Sequence, residues 1–222
     1  MVTELLQVGP YMKRPWTLVL GAIALLAGAY VVPAARAESP LDDLIAPKIG
    51  NSACFTRVYD ADHLRKHPKQ TTTSMAVWLA YEKLPGVPEG LALGLGLAIS
   101  RKGDSLPLFV QGGCVWDERA NRNTSDRRMI KEFKKEAGAG CMTSARPDVF
   151  DELSAEEGGY VILDPGKDSK TLTVYLEESL TMVKQADRAK QLDITFGADD
   201  RVFLLRQAEA KVCDFVARAL SR

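Results

Sequence analysis

The chain has 222 residues, 46% of them hydrophobic and 26% charged, with a formal net charge of zero, a globular composition that excludes a disordered, collagen-like or wholly membrane-embedded protein. Three of the 29 basic side chains and one of the 29 acidic ones fall in residues 1–37, so the remainder carries 26 against 28, a net charge of −2. That balance leaves no basic excess to hold a nucleic acid backbone and no polybasic cluster to grip anionic lipid.

The first 37 residues read as an export signal. Lys13 and Arg14 precede an apolar run of 17 residues, Trp16 to Val32, and Ala35-Arg36-Ala37 supplies the small residues of a peptidase site. Cleavage is expected between Ala37 and Glu38, with residues 1–11 as an upstream extension. No later apolar run has spanning length, so residues 38–222 form a single exported domain with no stable membrane span after cleavage. All four cysteines lie there, and an even number in an exported chain predicts disulfides. The preferred pairing is Cys54–Cys213, joining the domain's two ends, and Cys114–Cys141, stapling a polar insert.

Residues 54–59 read as a short strand. Residues 60–69 form a polar connection of about one helical turn, stopped by Pro68. Residues 71–81 alternate, with Met75, Val77, Leu79 and Tyr81 on one face and Trp78 on the other. The clearest strand is 91–99, where Leu91, Leu93, Leu95, Leu97 and Ile99 make one face. Ala92, Gly94, Gly96 and Ala98 make the other, which calls for a closely packed neighbour or a sharp bend. Residues 106–116 are a strand with a bulge expected at Gly112-Gly113. A helix is expected over 126–137, with Met129, Ile130 and Phe133 apolar, and strands at 140–145, 159–164 and 171–176. Residues 192–196 and 201–205 read as a hairpin. The last segment, 208–220, reads as an amphipathic helix burying Val212, Phe215, Val216 and Leu220. The sum is a mainly β domain, an antiparallel barrel or sandwich of about eight strands with one inserted helix and a C-terminal helix.

Chemistry-bearing residues are few. His63 and His67, the only histidines, stand four apart beside Asp60 and Asp62. On one helix face His63, His67 and Asp60 could share a metal ion, although the H-E-x-x-H glutamate is missing. No G-x-S-x-G elbow is present, and no C-x-x-C. The adjacent acids Asp151-Glu152, Glu156-Glu157, Glu177-Glu178 and Asp199-Asp200 read as solvated surface. Gly94-Leu95-Gly96 lies inside a strand without a third glycine, so no dinucleotide site and no other cofactor is expected. Residues 119–135 are the one basic concentration. Arg119, Arg122, Arg127, Arg128 and Lys131 within it are the candidates for contact with an acidic partner.

These readings favour a non-enzymatic periplasmic or secreted domain of the bacterial envelope that binds an envelope protein or an anionic envelope polymer. The rival is a carboxylate- or metal-dependent hydrolase built on the His63 and His67 region.

Overall fold

The computed structural model describes residues 40–83, 91–117, 129, 131–133, 138–145, 158–184 and 187–220. The expected export signal, residues 1–37, lies outside them. No helix among the described residues is long and apolar enough to cross a membrane.

The described strands are β1 (Ser52–Val58), β2 (Thr72–Lys83), β3 (Leu91–Arg101), β4 (Leu108–Asp117), β5 (Gly138–Ser144), β6 (Tyr160–Pro165), β7 (Thr171–Leu176), β8 (Ser179–Lys184), β9 (Asp187–Thr195) and β10 (Val202–Ala208). Helix α1 spans Ala61–Lys66, and α2 spans Asp214–Leu220 after a 3-10 turn at Ala210–Cys213. A further helical piece carries Met129 and residues 131–133. β1 to β7 follow one another round the wall, each antiparallel to the last. β10 then enters between β7 and β1, antiparallel to both, and closes an eight-stranded barrel.

Alternation fills the inside. Phe55, Met75, Val77, Leu79, Leu95, Leu97, Ile99, Leu163, Val174, Phe203 and Leu205 all belong to one fully packed core. Eight strands enclose a space that side chains of this size fill. Each buried aliphatic contributes roughly 1.5–3 kcal/mol. Leu41, Leu44 and Ile45 join that core near one end of the barrel, where the Tyr81 hydroxyl donates to Asp42 at 2.9 Å. The opposite end carries the end of β1 and the starts of β2, β4 and β10.

Outside the barrel, two sectors are covered. On β2 and β3 the outward residues are Ala76, Trp78, Gly96 and Ala98, and Trp78 stands opposite Gly96. The small outward side chains of β3 leave room for a neighbour, which is α2: Val216 and Ala219 pack on Ala76 and Ala98, with Trp78 alongside. On β5 to β7, Met129 and Phe133 cover Tyr160, Ile162, Tyr175 and Met142. Arg201 fixes that cover by reaching Glu132 with both guanidinium nitrogens, one at 2.9 Å, while stacking over Phe133.

Both disulfides have the expected pairing, Cys54–Cys213 and Cys114–Cys141. Several local expectations need correction. Residues 192–196 and 201–205 are not a hairpin, because β9 pairs with β8 while β10 leaves to close the barrel. Gly112 and Gly113 pair in unbroken register on both sides, so there is no bulge. Glycine is needed at 112 because a Cβ would stand 2.5 Å from the Met142 carbonyl oxygen. The C-terminal helix starts later than expected and buries Cys213, Val216 and Ala219, while Val212 and Phe215 are exposed. The disulfide to Cys54 turns the Cys213 side of the segment inward.

The two disulfides close loops with sequence separations of 159 and 27 residues. Chain-entropy scaling then gives about 5 kcal/mol for Cys54–Cys213 and about 3.5 kcal/mol for Cys114–Cys141. Paired serine substitutions are expected to destabilise in that order, read as denaturant midpoints without reductant.

Candidate functional site

Three of the buried polar residues, Gln70, Thr72 and Asp200, lie at the barrel end where β1 finishes and β2 begins. Arg57 faces inward, since it pairs with Met75 of the core. Tyr59, just past the end of β1, packs against the core with its ring 6.3 Å from Phe203. The Arg57 guanidinium carbon sits 5.2 Å from the Tyr59 ring centre.

Helix α1 lies beside this end. The Asp60 carboxylate caps it by accepting from the His63 backbone N–H at 2.7 Å. That hydrogen bond first, and others after it, hold the Asp60 carboxyl below its ordinary range. The cap is therefore present at neutral pH and lost only as the pH falls through the lowered value. His63 and His67 stack with ring centres 4.4 Å apart, and His63 also meets Tyr59 at 4.6 Å. The His63 Nε2 is 3.0 Å from the Gln70 Oε1, and the Gln70 amide donates to the Thr72 carbonyl at 2.8 Å.

The residue the sequence reading missed is Asp200. Expected as solvated surface, it is 1% exposed. It follows Gly197 in a 3-10 turn just before β10, and its carboxylate reaches across the barrel end. It accepts from the Thr71 N–H and hydroxyl, both at 2.7 Å, and from the Thr72 N–H at 2.9 Å. Three donors satisfy the buried charge. The Arg101 Nε also donates to the Thr71 hydroxyl at 3.3 Å. Burial pushes the Tyr59 phenol up from the ordinary tyrosine range. The Arg57 guanidinium opposes that shift and the Asp200 carboxylate adds to it. Tyr59 thus stands protonated at neutral pH, a hydrogen-bond donor.

Of the expected metal triplet, His63 and His67 come together with their rings stacked face to face. Asp60 is committed to the helix cap, and Gln70 engages His63. No group of three metal-binding side chains occurs among the described residues. Of the basic candidates, Lys131 is an exposed helical residue, while Arg119, Arg122, Arg127 and Arg128 lie outside the described residues. Asp151, Glu152, Glu156 and Glu157 lie outside them too.

Fold and site together define a disulfide-bonded antiparallel barrel with a filled interior and one polar end. No family model, no curated protein and no solved structure matches the chain.

Asp200→Ala would leave the buried Thr72 N–H and the half-buried Thr71 N–H without an acceptor, at about 1–3 kcal/mol for a buried group. The variant is expected to lose about 2–5 kcal/mol of unfolding free energy, measured by chemical denaturation. Asp200→Asn, which keeps an acceptor, is expected to lose less.

Proposed function

We propose that the protein is a non-catalytic domain of the bacterial envelope, periplasmic or secreted, that binds another envelope protein. The carrying observation is a sector of the barrel wall that, among the described residues, neither α2 nor the Met129 segment covers. There Val58 is 76% exposed, Leu204 50% and Val202 46%. Thr56 stands opposite Arg206, and the same register continued by two residues sets Val58 opposite Leu204. Leu204 in turn stands opposite Thr173. The result is an apolar strip across two paired strands, bordered by Arg206 and by threonines.

Charge supports the same reading. Glu132 bonds Arg201, the residue before Val202, and its chain neighbour Lys131 is exposed. A partner with an apolar ridge and acidic flanks fits both features. Export is consistent with two disulfides, bonds that persist in oxidising compartments. The chemistry-bearing groups are also largely committed to structure: all four cysteines to disulfides, Asp200 to its clamp and Asp60 to its cap. A hydrolase using His63 and His67 draws no support from a pair whose neighbouring carboxylate and amide are already engaged.

A photo-crosslinking amino acid replacing Leu204, irradiated in intact envelopes, is expected to give one discrete adduct. Val58→Asp or Val202→Asp should reduce that adduct at least tenfold while shifting barrel stability by less than about 0.5 kcal/mol, as exposed sites do. Absence of a discrete adduct, or an adduct indifferent to both substitutions, would reject the outer face as the partner site.

A further inference from the structure

Two buried side-chain polar atoms among the described residues have no hydrogen-bond partner: the Arg57 Nε and the Thr72 Oγ1. Both belong to the same end of the barrel. Arg57 faces inward on β1, and Thr72, opposite Arg101, faces inward on β2 just before the register shift that separates it from Ser74. Thr72 is fully buried. Buried polar atoms without a hydrogen bond are uncommon in folded proteins and call for an explanation.

The nearby acceptors already hold other donors. Both Asp200 oxygens take the Thr71 and Thr72 donors, and the Gln70 oxygen faces His63. Asp60 caps α1. Arg57 makes no ion pair among the described residues, and its planar fork matches a two-oxygen anion. The Tyr59 ring lies against it, with the guanidinium carbon 5.2 Å from the ring centre.

We infer that this end of the barrel is a binding site for a small oxyanion, the carboxylate or phosphate group of a compact ligand. The Arg57 guanidinium carries the charge recognition, and the Thr72 hydroxyl is a further donor at the same end. Asp200 and Asp60 flank the site with negative charge, which favours a single compact anionic group over a polyanion. The site is separate from the outer strip of Val58, Val202 and Leu204, so either assignment can fail without the other.

The test is residue-resolved NMR on the disulfide-intact protein, titrated with inorganic phosphate and with acetate at constant ionic strength. A saturable shift of the Arg57 Nε–H resonance is expected with at least one of the two probes. Saturation by phosphate alone assigns a phosphate ligand, and saturation by acetate alone a carboxylate. The affinity should fall at least tenfold in Arg57→Gln and several-fold in Thr72→Val, and stay unchanged in Arg206→Gln on the outer face. Shifts that never saturate, or an affinity preserved in Arg57→Gln, would overturn the assignment and leave a buried water as the partner of both donors. Should Arg57→Gln fail to fold, the wild-type Arg57 resonance still decides.

Discussion

The fold depends on β10 entering the gap between β7 and β1. Without it the meander would end in two open strand edges, each a row of unpaired backbone groups. With it every strand of the ring has two neighbours and the apolar inward faces enclose one another. The joint is expensive in chain entropy, because it brings the last strand against the first across most of the chain. It is fastened at both ends. Ahead of β10, Asp200 binds the backbone entering β2. Behind it, Cys213 is bonded to Cys54 of β1. A buried ionic clamp and a covalent bond, one at each end, hold a strand whose own pairing would pay only after long-range closure.

The wall is then used from both sides. Inside, large aliphatic and aromatic residues leave the barrel packed, so recognition has to take place at an end or on the outer surface. Outside, the size of the outward residues decides what lies there. Glycine and alanine on β2 and β3 admit the backbone of α2, and the larger Tyr160, Ile162 and Tyr175 receive single apolar side chains from the Met129 segment. Among the described residues the β1 and β10 sector has neither arrangement. Its valine and leucine side chains stand in solvent, a costly placement that a partner surface would relieve.

How much of this was legible in the sequence follows from the range of each interaction. The alternation of residues 91–99 is a local pattern, and it located β3, its inward face and the close neighbour on its other side. Cysteine parity and the position of the insert gave both disulfides. The hairpin expected from 192–205 failed because two adjacent alternating segments look alike whether they pair with each other or part company. Strand β8 was missed altogether, although Leu180 and Met182 are both buried in the core. The phase of α2 was displaced by a tether from outside the segment, which no helical periodicity contains. Asp200 looked like half of an ordinary acidic pair, since its three donors lie more than a hundred residues away in the chain.

The same distinction explains why the polar end of the barrel was invisible beforehand. Arg57 and Thr72 sit at inward positions of strands that elsewhere carry Phe55, Met75 and Val77 at such positions. Burying an unpaired polar group costs about 1–3 kcal/mol, a large part of the 5–15 kcal/mol by which a domain is typically stable. An aliphatic residue at position 72 would avoid that cost without changing the strand's shape. The cost falls at the end where the β2 register slips and where the Asp200 clamp holds the backbone in place. A backbone fixed by a clamp that uses Thr72 only through its N–H leaves the Thr72 hydroxyl free for another partner. The unpaired donors are therefore a feature that the clamp permits but does not require, and a bound acceptor is what would give them a purpose.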